Sequence, residues 1–346
     1  MMDNEAKNIR LMFVGDINLG EYYTSFGHGP KTFLKSRSPF SEVDHLLQQA
    51  DFAVGNLEAP LTEANFDPRE PESVVLRGSP SDAHFLSSAN FRVLQLANNH
   101  AVQHGSAGFD ETLRTLHKSN VEVIGLNSQD VLVIDIKGQR LGFLAASDVP
   151  DNANKLQESY QRLDETFKKR VENAVTQVDH LFVLLHWGLE ASTKPMGYQD
   201  DFANELEAIG VRGLIGQHPH LFYGIKSSTN FVYAPSLGNF VFDLAWDDRL
   251  LKTGILDINI SGGTLISKVW PVNITNNGCL PCLSGEPVSI GNSVTLYDLG
   301  TSMKGEQWRK ISYFLRNIFL GDTMLKIKFF LRKILPSLDR KKLREI

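Results

Sequence analysis

Short apolar runs in this 346-residue chain end repeatedly on three kinds of side chain: carboxylate, carboxamide and imidazole. Asp16 and Asn18 lie in "VGDINLG", and Asn56 and Glu58 in "VGNLEAPLT". Asn98, Asn99 and His100 lie in "LANNHAVQHG", His186 and Glu190 lie in "LLHWGLE", and His218 and His220 flank a proline in "IGQHPH". A mixed oxygen and imidazole set without thiolate suits Mn, Fe or Zn, and fits catalysis better than a structural zinc. Two divalent ions held this way would bind a phosphate-like oxygen, acidify a water and clamp the attacking and leaving oxygens. An imidazole beside them would protonate the leaving group.

Each residue also has a plainer use. Asp16 suits a turn after its strand, and Asn98 and Asn99 suit the Asx-turn or left-handed geometry that ends a strand. His100 and His104, at i and i+4, suit a satisfied surface pair, and His186 beside Trp187 suits a hydrogen-bonded core histidine. One at a time these uses are favoured. Five strand ends loaded alike make a single shared pocket the better reading.

The positioning elements follow from the pattern. "LMFVGD", "DFAVGN", "FRVLQLANNH", "VEVIGLN", "HLFVLLHWG" and "VRGLIGQHPH" read as buried strands, with helix-like segments at 39–50, 108–120, 154–177 and 199–210. Such alternation predicts a layered α/β domain, whose ligands sit beyond the carboxyl ends of strands. "DVLVIDIKGQRLGFLAAS" reads as a hairpin turning at Lys137-Gly138, so the sheets are expected to be mixed. After Phe231 the segments "FVYAPS", "NFVFDL", "GILDINI" and "TLISKVWPV" are β-rich.

Composition is that of a soluble globule, 42% hydrophobic and 22% charged. Neither a secretory signal nor a run of about 18 apolar residues is visible. The expected location is cytoplasmic, with a peripheral place on the inner face of the membrane left open. Cys279 and Cys282 are too few for a disulfide framework or a zinc ribbon and read as reduced loop thiols. Residues 304–346 carry 12 Lys or Arg against 4 Asp or Glu, a net of +8, which leaves −13 for the preceding 303. That segment reads as a basic amphipathic helical tail, broken near Gly321 and Pro336. It suits a membrane surface or a partner, or else its own domain with a solvated basic face. With the body acidic and the net positive charge confined to this one segment, nucleic acid is not an expected partner.

"FVGDINLG", "GNLEAPLT", "LANNHAVQHGSAGFDETL", "LLHWGLE", "IGQHPH" and "YAPSLGNFVFD" resemble, in order and spacing, the CapA family of poly-γ-glutamate capsule biosynthesis proteins over residues 9–245. The resemblance implies an α/β/β/α sandwich of calcineurin-type metallophosphoesterase kind with mixed sheets, occupying 1–303 ahead of the tail. It implies metal ligation by Asp16, Glu58, Asn99, His186, His218 and His220, with Glu58 or Asn56 as the bridging group and His100 as leaving-group acid or phosphate binder. Asn18 stands where a histidine ligand is usual, which weakens one metal position. Gln103 stands where relatives often carry an acid, which leaves the partner of His100 open. Asn18, Asn56, Asn98 and Glu190 complete the expected pocket.

Two functions follow from the resemblance. One is a hydrolase with two divalent ions, acting on a phosphoester or related polyanion in capsule, poly-γ-glutamate or other envelope polymer synthesis. The other is a non-catalytic accessory or binding component of a polymer synthase, recruited by its basic tail.

Overall fold

The computed structural model describes residues 8–151, 159–302 and 305–334. Four strands open the fold in parallel: β1 (Ile9–Ile17), β2 (Phe52–Leu57), β3 (Phe91–Gln95) and β4 (Glu122–Ile124). A second sheet follows from β5 (Leu132–Ile136), β6 (Gln139–Ser147), β7 (His180–His186), β8 (Gly213–Gln217), β9 (Ile225–Ser227) and β10 (Val232–Ala234). The chain then returns to the first sheet with β11 (Asn239–Val241), β12 (Lys252–Ser261), β13 (Thr264–Thr275), β14 (Leu280–Leu283) and β15 (Val288–Ser289), and β16 (Ser293–Val294) edges the second. The orders are β14-β13-β12-β1-β2-β3-β4, with β11 beside β1 and β15 beside β13, and β16-β9-β10-β8-β7-β6-β5. Both sheets are mixed, as the hairpin implies. Lys137 and Gly138 turn it with φ of 50° and 77°, the two positive values that a tight primed turn requires.

The sheets pack face to face because their central strands are apolar on both sides. In β7, Phe182 and Leu184 enter the core between the sheets, and Leu181, Val183 and Leu185 face the opposite way. This is the two-residue alternation of a strand whose two faces are both covered. Phe182 meets Phe13 of β1 at 5.4 Å and Phe143 of β6 at 5.7 Å between ring centroids. Truncating a ring so placed costs about 3–5 kcal/mol. Helix α1 (Gly105–Lys118) contributes Phe109 and Leu116 to the core on the first sheet. Helices α2 (Glu165–Val175) and α3 (Gly197–Ile209) cover the second through Phe167, Val171, Ala203 and Leu206. Asp164 starts α2 by accepting a hydrogen bond from the Phe167 amide at 2.9 Å, and Gly210 ends α3 in the left-handed region. The layers are helix, sheet, sheet, helix.

Several expected bounds shift. The segment 39–50 forms only a short helix, Asp44–Leu47, flanked by turns, although Phe40, Val43, Leu46, Leu47 and Ala50 are all buried. β3 stops at Gln95, so Asn98 to His100 lie in the following turn. Of 154–177 the helix occupies Glu165–Val175, and 154–158 lie outside the described residues. Cys282 is in β14 rather than a loop, and both cysteines are free thiols.

The basic segment packs against the body through two helices, α4 (Glu306–Asn317) and α5 (Thr323–Ile334). The break at Gly321 lies between them; Pro336 lies outside the described residues. Tyr313, Phe314 and Phe329 are buried, and Phe329 stacks on Tyr23 at 4.7 Å. Gly321 has φ of 63°, and a Cβ there would stand 2.3 Å from the Phe26 carbonyl oxygen. Among the described residues no helix is long and apolar enough to cross a membrane.

Candidate metal centre

The carboxyl ends of β1 and β2 in one sheet meet those of β7 and β8 in the other. Their register brings the polar residues together. Asp16 pairs with Asn56 across β1 and β2, and His186 pairs with Gln217 across β7 and β8, one residue before His218. Gly15 lets β11 approach β1, since a Cβ there would stand 1.8 Å from the Gly238 carbonyl oxygen. The Asp16 amide donates to that oxygen at 2.9 Å, and Asp16 pairs with Asn239.

Glu58 lies at the middle and is fully buried. Its Oε1 is 3.6 Å from His186 Nε2 and 4.0 Å from His220 Nε2. Among the described residues the oxygen has no hydrogen-bond partner, nor has the buried Nδ1 of His218. Two groups of candidate ligands share this carboxylate, Glu58 with His186 and His218, and Asp16 with Glu58 and His220; within each group the ligand atoms lie within 4.8 Å of one another. Asn99 Oδ1 adjoins the first group, 2.8 Å from His186 Nε2. Asp16 Oδ2 lies 3.2 Å from His220 Nδ1, which is also 2.9 Å from Asn239 Oδ1.

The donors fit divalent ions. Two ligand atoms on one tetrahedral ion stand about 3.3–3.5 Å apart, so these separations need only a small adjustment. A buried, unpartnered carboxylate oxygen between imidazoles is a costly arrangement that a cation would relieve. The protonation pattern agrees with this. Burial, with Asp16 and Glu190 nearby, pushes the Glu58 carboxyl well above the usual range. Burial and the neighbouring imidazoles hold His186 well below its ordinary value, and burial with His220 lowers His218 to about 4. His220 moves the other way: burial lowers it, but the hydrogen bond and charge of Asp16 outweigh burial. Burial and the nearby carboxylates thus oppose the charged form of Glu58, and a bound cation would favour it.

The "HPH" turn is strained. His218 and His220 have φ of 98° and 60°, in the region that L residues avoid, at a cost of about 1–3 kcal/mol each. Pro219 does not itself account for this. The strain aims both imidazoles at one place.

Of the expected residues, Asp16, Glu58, Asn99, His186, His218 and His220 converge. Asn56 is a hub beside them: its Nδ2 donates to Asp16 Oδ1 at 2.8 Å and lies 3.5 Å from Glu58 Oε2 and 3.3 Å from His186 Nδ1. Glu58 is the carboxylate common to both groups. Asn98 stands behind, donating to Asn56 Oδ1 at 3.0 Å and accepting from the His100 amide at 3.1 Å, so it also makes the Asx turn. His100 Nδ1 donates to Gln103 Oε1 at 3.2 Å, which supplies the partner left open by the sequence. His100 Nε2 faces Asn99 Nδ2 at 3.3 Å, and burial lowers the imidazole below its ordinary value. His104 is not part of the group; its Nε2 donates to the Val75 carbonyl at 3.0 Å.

Asn18 is turned away. Its Oδ1 accepts from the Gly20 amide at 2.7 Å and its Nδ2 donates to Asp243 Oδ1 at 3.0 Å, so both ends of the amide are engaged outside the ligand groups. Glu190 stands at the mouth, half exposed, 3.9 Å from Lys310 Nζ of α4. Burial opposes its ionisation, but His220, Lys310, His218 and His100 outweigh this and hold it below the usual carboxylate range.

Two residues given no role from the sequence belong here. Asn239 orients His220, and Asp243 accepts from Asn18 and from the Tyr22 amide at 2.7 Å. Both lie in "SLGNFVFD", whose position after a strand was the available signal.

The family described as "Bacterial capsule synthesis protein PGA_cap" matches residues 10–244, which span every residue of this cluster. The chain belongs to that family. It is 28% identical over 273 residues to the PGA biosynthesis protein CapA of Bacillus subtilis (strain 168), covering 76% of this chain and 70% of the relative. It is 26% identical over 302 residues to the capsule biosynthesis protein CapA of Bacillus anthracis, covering 81% and 71%. Among solved structures, a putative 5'-nucleotidase from Staphylococcus aureus in complex with alpha-ketoglutarate aligns at TM-score 0.46 and 14% identity, over 88% of this chain and 58% of that one. The 5'-nucleotidase of Candida albicans SC5314 aligns at TM-score 0.46 and 8% identity, over 90% and 58%. The PGA_cap match ends before β12, so the last strands and the two basic helices lie beyond it.

Proposed function

We propose that the chain is a metal-dependent hydrolase of phosphoesterase type, serving the synthesis of capsule, poly-γ-glutamate or a related envelope polymer. The observation that carries the hydrolase reading is the buried Glu58 carboxylate, unpartnered at Oε1 and common to two groups of ligand atoms. The names of the two CapA relatives supply the biological setting.

Asp16, Glu58 and His220 would hold one ion, and Glu58, Asn99, His186 and His218 the other. Bound there, a pair of divalent ions supplies Lewis acidity toward a phosphoryl oxygen and toward water. The protein residues do the rest. Asn239 and Asp16 fix His220 through Nδ1, which leaves Nε2 directed at Glu58. Asn56 and Asn98 brace the carboxylates from behind. With the Nδ1–H of His100 donating to Gln103 Oε1, Nε2 is the ring atom that would carry a proton to a leaving oxygen, in the imidazolium form. The substrate class is a phosphoester or a related polyanion.

The test is reconstitution of purified protein with Mn, Fe or Zn, followed by a panel of phosphomonoesters and phosphodiesters with wild type and Glu58→Gln. Metal-dependent turnover lost in the variant supports the reading. A metal-loaded wild type that turns over nothing on the panel, while binding a polyglutamate or envelope polymer, would replace it with the accessory role.

A further inference from the structure

Helix α4 has two apolar faces, and among the described residues the body covers only one. Inward, Tyr313 and Phe314 are buried, Arg309 Nε lies 3.1 Å from Asp247, and Lys310 pairs with Glu306 and approaches Glu190. Outward, Trp308, Ile311, Leu315 and Phe319 recur at spacings of three and four, one stripe of a helix continued past its end. Trp308 is 75% exposed, Leu315 59% and Phe319 84%; Leu320 and Met324, which follow in the sequence, are exposed as well. In the body, Leu189, Met196 and Tyr198 are exposed within ten residues, and Val133, Ile209, Ile266 and Val288 stand apart in the sequence. A run such as that on α4 marks a surface that meets something apolar.

We infer that this face docks on an anionic lipid bilayer, with α4 lying in the plane of the headgroups. Charge selects the occupant. Arg316 is exposed on the flank of α4 that also carries Arg309 and Tyr313, and Lys333 on α5 sets its Nζ over the Tyr23 ring at 5.0 Å. The sequence after Ile334 adds Arg340, Lys341, Lys342 and Arg344 against Asp339 and Glu345. The whole segment 304–346 carries +8, so two copies meeting through it symmetrically would set like charges together, whereas an anionic surface attracts it. The body, at −13, is repelled by the same surface and stays off it. The stripe from Trp308 to Phe319 is about 16 Å long, enough to lie flat and too short to span. Because the inward face of α4 holds Lys310 against Glu190, the bilayer lies about one helix diameter, roughly 10 Å, from the mouth of the metal centre. This inference does not depend on hydrolysis.

The experiment is co-sedimentation of the full chain with vesicles of phosphatidylglycerol and phosphatidylcholine in equal parts, and with phosphatidylcholine alone. Wild type is expected to pellet with the mixed vesicles and about tenfold more weakly with the neutral ones. Leu315→Asp with Phe319→Asp, both on the outer face, is expected to lose about tenfold or more in binding with unchanged thermal melting. Trp308→Ser serves as a second, milder variant if the double one melts early, and the same direction of loss is expected. Wild type that remains in the supernatant with mixed vesicles overturns the inference, and so do variants that bind as wild type does. A concentration-dependent dimer dissolved by the variants, without vesicle binding, overturns it in favour of a contact between copies.

Discussion

Glu58 and His186 stand 3.6 Å apart across the junction of the two sheets, one following β2 of the first and the other ending β7 of the second. Each group of candidate ligands draws on both sheets in this way. A cation bound by either group would therefore fasten the halves of the sandwich together as well as serve chemistry.

The first prediction concerns stability and metal. The Glu58 carboxyl is raised in the folded chain, so its contribution is fully present below the unfolded value and is lost as pH rises through the folded one. In chelator at pH 8, Glu58→Gln is therefore expected to melt no lower than wild type. With metal at about a hundred times its dissociation constant, wild type gains about 2.7 kcal/mol and the variant less than half of that. Thermal melts with and without metal check both statements.

Asn239→Ala removes the oxygen that holds His220 Nδ1 and leaves the Leu250 carbonyl without the Asn239 Nδ2 donor, 3.0 Å away. The expected result is a loss of about ten- to hundredfold in metal affinity or turnover, with about 1–3 kcal/mol of stability. Metal titration and urea melts separate the two effects.

Gln103→Glu places a carboxylate beside His100 Nδ1. His100 is lowered by burial, with the Gln103 hydrogen bond opposing, and a full negative charge there opposes burial further. If His100 delivers a proton, the alkaline limb of the pH–rate profile moves to higher pH in this variant. An unmoved limb removes His100 from the acid role.

His104 lies outside the metal groups and is lowered from 6.5 to about 4, first by burial and then by Arg77. A depressed folded value means stability that is present above the unfolded value and is lost as pH falls toward the folded one. Between pH 7 and pH 5 this residue is expected to cost the protein about 1–2 kcal/mol. His104→Gln should flatten that part of the decline in urea melts, while the buried cluster histidines keep the remainder.

Local pattern carried much of this. The apolar runs that end in polar residues became the strands of both sheets, and Lys137-Gly138 turned the hairpin as its residue types require. What the sequence could not show was set by distant pairing. Asn239 meets Asp16 through a parallel pair 223 residues apart, so nothing near either residue announces the other. Asn18 is a polar strand-end residue like its neighbours, yet the turn at Gly20 and the buried Asp243 claim its amide. In segment 39–50 the apolar spacing was right for burial, but turns satisfy it as well as a helix does. The basic tail inverts its simplest reading. Arg309, Lys310, Lys326, Lys328 and Arg332 engage partners on the body or within the helices, and the outward face of α4 is apolar. A charge count gives the balance of a segment but not the direction of its side chains.

The most direct measurement is the metal content of the purified chain after reconstitution with Mn, Fe or Zn, taken alongside turnover on a phosphodiester, for wild type and Glu58→Gln. The account predicts about two ions per wild-type chain with metal-dependent hydrolysis, and loss of both ions and activity in the variant. A wild type that retains no divalent ion under these conditions would contradict it.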